Sequence, residues 1–168
     1  MTVAELDRLT HAAATEVLTS CCGSRRWVEG MGAKRPFGSV GRIKSAAEHL
    51  WWSLTRDDWL EAFSHHPRIG ESRSTQNAQG RAWSAKEQAG LAGTGDPIRD
   101  ELARVNQAYE ARFGYRYIVC ASGRSADELL ALARKRLENQ PEDELRVAAA
   151  EQLTITQLRL DRLLTTGA

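Results

Sequence analysis

The sequence predicts an all-α protein, a single domain over residues 1–168 built as a bundle of about seven to eight helices with one short extended segment near 115–121. Three observations lead there. Apolar residues recur every three to four positions along most of the chain, the period of an amphipathic helix. Helix-start signatures, a Ser or Thr followed three residues later by an acid, accompany several of those stretches. Only YRYIVCASG, residues 115–123, has the alternating aromatics, β-branched pair and closing glycine of an extended segment.

Taken in order, Val3, Leu6, Leu9, Ala13 and Val17 predict one helix through residues 1–20. Gly23, Gly30, Gly32, Pro36 and Gly38 mark an irregular region holding a short helix around Trp27. Ser39 is an N-cap for a helix through Ile43, Ala46, Ala47, Leu50 and Trp51. Thr55 and Asp58 start the next, which carries Trp59, Leu60 and Phe63 towards a pair of histidines. The polar stretch from Arg68 to Trp83 reads as a long loop, of a length uncommon in compact domains and often functional. Ser84 and Glu87 open a short helix, and Asp96-Pro97 opens a longer one that Gly114 closes. Ser125 and Glu128 open a helix through Leu129, Leu132, Ala133 and Leu137, and Pro141 opens the last, which reaches about Leu164. No internal repeat and no dividing linker are visible.

Composition narrows the function classes. With 23 basic and 22 acidic side chains the net charge is +1, which argues against general nucleic-acid binding but not against a small anion held by one or two arginines. No run approaches the roughly 18 apolar residues of a membrane helix. The opening MTVAELDRLTHAAATEVL carries acids early and lacks an unbroken apolar core, so neither a secretory signal nor a transit peptide is expected, and LLTTGA is no peroxisomal address. Cys21, Cys22 and Cys120 are odd in number, include a vicinal pair and match no zinc spacing, which points to a reducing cytoplasm.

Three constellations carry chemistry. In SHHPRIGE, residues 64–71, Pro67 disfavours helical geometry at His66, so the preceding helix should end there. His66 then faces the negative end of a helix dipole, which favours the imidazolium and suits a general acid. The structural alternative is a histidine that merely caps orphan carbonyls. In WSAKEQAG, residues 83–90, Ser84 and Glu87 fit a capping box, and a helix start also offers free N–H groups to a polar ligand. In ITQLRLDRLL, residues 155–164, Arg159 shares the apolar face of Ile155 and Leu163 while Asp161 points away. A buried guanidinium needs an anion, either an internal carboxylate or a substrate carboxylate gripped bidentately. A helix-end histidine, a glutamate, a helix start and an inward arginine together meet the needs of acid–base chemistry on a small anion.

HPRIGE at 66–71, SAKEQAG at 84–90, FGYRYIVCASGRS at 113–125 and the terminal ITQLRLDRLL together resemble the OHCU decarboxylases, which act on 2-oxo-4-hydroxy-4-carboxy-5-ureidoimidazoline (OHCU) in urate degradation. Order and spacing of four motifs agree over nearly the whole chain, and HP-x-I/L-G-D/E with a downstream E-Q-A-G is the most specific part. The resemblance implies an all-helical homodimer with no metal and no organic cofactor, acting downstream of urate oxidase and hydroxyisourate hydrolase. The reaction implied converts OHCU to (S)-allantoin with release of CO2. By matching positions it implies His66 as catalytic proton donor; Glu87 is expected to be catalytic as well, orienting His66 or holding polar groups of the substrate. Substrate contacts are implied from Pro67, from Ser84, Ala85, Lys86, Glu87 and Gln88, and from Arg159. Ile118, Val119, Cys120, Ala121 and Ser122 are implied to contact substrate largely through backbone groups. Arg116 departs from the proline or apolar residue of many members, and the loop after HPRIGE is shortened; neither is expected to touch a matched site residue. Two competing readings are a non-catalytic interaction module with Trp51, Trp52 and Trp59 as its surface, and a metal-dependent hydrolase using His65, His66 and Glu71.

Overall fold

Local capping decides where most helices begin. In the computed structural model, which describes residues 1–69, 78–91 and 95–164, Thr2 and Glu5 form a reciprocal capping box at the start of α1 (Val3–Arg8). Leu9 then leaves helical geometry, and Thr10 accepts a hydrogen bond from the Ala13 amide to start α2 (His11–Cys21). The single N-terminal helix expected from periodicity is therefore two, because a side-chain cap inside the apolar pattern lets the chain stop and restart. Ser24 caps α3 (Arg25–Ala33) and Ser39 caps α4 (Val40–Ser53), the latter as anticipated. Thr55 and Asp58 exchange hydrogen bonds at 2.9 and 3.4 Å at the head of α5 (Arg56–Ser64).

After α6 (Ala78–Glu87) and a 3-10 turn at Ala89–Leu91 comes α7 (Asp96–Phe113), with Pro97 in its first turn. It ends at Gly114, whose φ of +80° is a left-handed cap that glycine adopts without strain. The Ser125–Glu128 box opens α8 (Ala126–Arg136), and α9 runs Pro141–Leu164. Nine α-helices and no strand stand among the described residues. The segment 115–121, expected to be extended, is neither helix nor strand. Residues 70–77 of the expected long loop, Glu71 included, lie outside the described residues, and the loop's expected end is helical from Ala78.

The chain forms two compact units, and their boundaries fall inside α5 and α9, not at a linker. Unit 1 comprises Met1–Ala62 and the chain from Leu153, and unit 2 comprises Phe63–Gln152. In unit 1, Leu6, Leu18, Trp27, Met31, Ile43, Trp51 and Leu160 are buried, and the Trp27 indole donates to the Ala47 carbonyl at 3.0 Å. Gly30 of α3 packs against Leu50 of α4, whose side-chain end would lie 3.0 Å from a Cβ at that position and would have to shift to admit one. Trp51 is core, Trp59 donates to the Trp51 carbonyl at 2.9 Å, and of the three tryptophans proposed as a partner surface Trp52 alone has substantial exposure.

The core of unit 2 is aromatic. Tyr109 packs against Phe113, Tyr115 and Tyr117 at centroid distances of 4.7, 5.8 and 5.2 Å. Leu102, Leu129, Ala133, Ala148 and Ala149 are buried in the same unit. No helix among the described residues is long and apolar enough to cross a membrane.

Candidate active site

His66 lies where the sequence places it, just past the last turn of α5, with 7% of its surface exposed. Its N–H donates to the Phe63 carbonyl at 3.1 Å, and buried Pro67 has no N–H to continue the ladder. His65 is half-buried. The following residues are clamped within unit 2. Arg68 makes a two-pronged ion pair with Glu110 of α7, at 2.6 and 2.9 Å, and the Asn106 amide donates to the Ile69 carbonyl at 3.1 Å. Arg116 donates to the carbonyls of both Ser64, at 2.8 Å, and His66. The expectation that Arg116 touches no matched residue is thus overturned: the residue lies 50 positions from His66 in sequence, and only the fold brings them together.

The helix start expected at Ser84 and Glu87 is also corrected. Both belong to the second half of α6, of which Glu87 is the last residue, and the Gln88 amide donates to the Ser84 carbonyl at 3.1 Å. They offer no helix N-terminus. Instead Gly80, Trp83, Ser84 and Glu87, at i, i+3, i+4 and i+7, form the buried stripe of α6. A hydroxyl and a carboxylate occupy positions where burial normally selects apolar side chains, and an acid is almost never buried without partners. Ala85 and Lys86 of the same motif are exposed, and Gln88 is half-buried.

Ile118, Val119 and Ala121 are buried, Cys120 is half-buried and Ser122 exposed. Two backbone groups of this segment bond to side chains, as buried peptide groups require partners. Arg136 of α8 donates to the Ile118 carbonyl at 2.7 Å, and Glu151 of α9 accepts from the Cys120 amide at 2.7 Å. Burial raises the Cys120 thiol above its usual range; an amide hydrogen bond from Ser122 opposes this, and the negative charges of Glu151 and Glu87 add to it. The negative charge of Glu87 is therefore felt at Cys120, and both residues belong to unit 2.

Arg159 belongs to unit 1, on α9, and is 2% exposed, so the inward orientation read from its spacing is correct. Its guanidinium donates to the Ser20 carbonyl at 3.3 Å and lies near the thiol of Cys22. Asp161, as expected, is off the buried face and pairs with Lys44 at 2.9 Å. Among the described residues no three His, Cys, Asp or Glu side chains gather as a metal site. Arg116, Arg136 and Glu151 were missed as contributors to the site. Their only sequence signal was indirect, a charged residue inside or facing an otherwise apolar pattern.

A buried imidazole at a helix end, a buried carboxylate and a backbone segment pinned by charged side chains are the equipment of an acid–base enzyme for a small polar substrate. The OHCU decarboxylase family model matches residues 7–161, and the chain belongs to that family. A crystal structure of OHCU decarboxylase obtained in the presence of (S)-allantoin superposes with a TM-score of 0.79 at 34% identity, covering 89% of this chain and 98% of that one. The uric acid degradation bifunctional protein TTL of Arabidopsis thaliana is 39% identical over 145 residues; this chain spans 85% of its own length but 45% of the plant protein's. The 2-oxo-4-hydroxy-4-carboxy-5-ureidoimidazoline decarboxylase of Haloferax volcanii is 25% identical over 161 residues, 95% of this chain and 94% of the other.

Proposed function

We propose that the chain decarboxylates OHCU to (S)-allantoin and CO2, as a carboxy-lyase of urate degradation. The observation that carries the reading is the buried His66 at the end of α5, in a chain matched by the family model from residue 7 to 161. The carboxylate of OHCU sits on a carbon that also bears a hydroxyl, beside an unsaturated C–N group of the ring. When the C–C bond to the carboxylate breaks, its electron pair delocalises into that ring, so no pyridoxal or thiamine electron sink is required. The pair forms a double bond to the neighbouring, ureido-bearing ring carbon. His66, as imidazolium, delivers a proton to one face of that carbon and is reprotonated from solvent, while the hydroxyl proton passes to the ring nitrogen and the C–OH becomes the ring carbonyl of allantoin. A positioned acid of this kind contributes about 10²–10⁴-fold.

Glu87 orients the imidazole or holds substrate N–H groups. Arg159 grips an anionic oxygen of the substrate, and the 118–122 segment presents backbone groups to it. The enzyme works without metal or organic cofactor, as a homodimer in the cytoplasm, on OHCU supplied by urate oxidase and hydroxyisourate hydrolase.

The test generates OHCU in situ from urate with those two enzymes and follows allantoin by circular dichroism. A fast single-enantiomer signal, unaffected by EDTA and lost in His66→Ala, is expected. A slow approach to racemic product at the same rate with and without the protein would sink the reading.

A further inference from the structure

We propose that Arg116 is a positioning residue for His66, setting the direction from which the imidazole meets substrate; the inference rests on the proton-donor reading of His66 given above. The backbone problem at this point is specific. Helix α5 ends at Ser64, which leaves late carbonyls without intrahelical donors. Pro67 supplies no N–H and forces its predecessor off helical geometry, so the main chain at His66 departs from the helix that delivered it. Across that break a single guanidinium nitrogen of Arg116 bonds the carbonyl of Ser64, still in the helix, and the carbonyl of His66, already out of it.

Two carbonyls on either side of a bend, held by one nitrogen of a planar group, fix the angle of the bend. The imidazole hangs from the residue that turns, so a few degrees at the backbone become a displacement at the ring nitrogen. Misplacement by about 1 Å costs on the order of 10²-fold in rate. The anchor is itself rigid. Arg116 is flanked by buried Tyr115 and Tyr117, and the segment that continues from it is held at Ile118 by Arg136 and at Cys120 by Glu151. Arg116 thereby references the proton donor to the same segment that carries the expected backbone contacts to substrate. A lysine, with a mobile point charge in place of a fixed fork, reproduces the charge but only part of the geometry.

The test compares wild type, Arg116→Met and Arg116→Lys, with His66→Gln alongside, by steady-state kinetics, thermal unfolding and the NMR signal of the His66 ring C–H. Arg116→Met should lower kcat by about ten- to a hundredfold with KM within about twofold. It should shift the His66 ring signal and leave the unfolding midpoint within a few degrees of wild type. Arg116→Lys should recover part of the kcat. Wild-type kcat in Arg116→Met, or a loss confined to KM, overturns the proposal while leaving the decarboxylase reading intact, provided His66→Gln is inactive. Wild-type turnover in His66→Gln overturns the proton-donor reading of His66 and, with it, this proposal. Should Arg116→Met fail to fold, Arg116→Lys decides: an intermediate kcat at unchanged stability supports positioning, and wild-type kcat ends it.

Discussion

The guanidinium Nε of Arg136 stands 2.8 Å from a carboxylate oxygen of Glu144, with Arg136 6% and Glu144 0% exposed. Tyr109 shares the site, its hydroxyl donating to the same Glu144 oxygen, while Asn139 donates to the other oxygen at 2.7 Å. The remaining nitrogen of Arg136 reaches the Ile118 carbonyl. A charge network laid down between α8 and α9 therefore holds the segment on which the candidate site depends.

Breaking that network from one side should be costly. Arg136→Met leaves the Glu144 carboxylate buried and lacking its charge partner, and about 3–5 kcal/mol of stability should be lost. The double variant Arg136→Met/Glu144→Leu should lose less than Arg136→Met alone, because no uncompensated charge remains. Urea unfolding of the two variants measures the difference; equal losses would mean that packing, not charge pairing, dominates there.

Glu87 should reveal itself through Cys120. Burial is the main cause of the raised thiol, and Glu87 contributes to it through its negative charge. Glu87→Gln should therefore move the pH profile of Cys120 alkylation to lower pH, since the thiolate no longer faces that carboxylate. Alkylation rates from pH 7 to 10, followed by mass spectrometry, read this directly. If Glu87 orients His66, the same variant should also lower kcat.

Arg159→Lys should raise KM by about 10- to 100-fold, the value of a charge-assisted two-point hydrogen bond, with a smaller effect on kcat. Circular dichroism at 222 nm should be unchanged. A variant that unfolds instead would assign Arg159 to the internal structure of unit 1.

Cys22 is fully buried, and its thiol is pushed up to about 11, chiefly by burial; hydrogen bonds from Ser24 and Thr156 and the charge of Arg159 oppose the shift. At pH 8 about a thousandth of it is thiolate, so iodoacetamide should modify Cys22 only after unfolding. The unfolded thiol ionises near 9, two units lower. Its contribution to stability is therefore complete below pH 9 and is lost as pH rises towards 11. Over that interval Cys22→Ala should show a shallower fall of unfolding free energy with pH than wild type.

Most helix boundaries were legible because the signals that set them act within four residues. The Ser39 cap, the Thr55–Asp58 exchange, the Ser125–Glu128 box and the left-handed Gly114 are all local hydrogen-bonding or steric events, and all are present. Where two local readings competed, periodicity alone erred. Apolar spacing ran through Leu9 and concealed the Thr10 cap, and an S-x-x-E pattern suggested a helix start in what is the buried face of a helix that had begun at Ala78.

By itself the sequence determined the helical class, the break at Pro67 that delivers His66, and the inward orientation of Arg159, since each follows from the 3.6-residue period or from proline stereochemistry. Only the tertiary structure decided that Ser84 and Glu87 form a buried polar face, that the segment at Ile118 and Cys120 is held by Arg136 and Glu151, and that Arg116 bridges the bend at His66. These pairings join residues 18, 31 and 50 positions apart. No local propensity reaches that far: which donor meets which carbonyl is set by the packing of whole helices, and a buried peptide group accepts whichever partner that packing supplies.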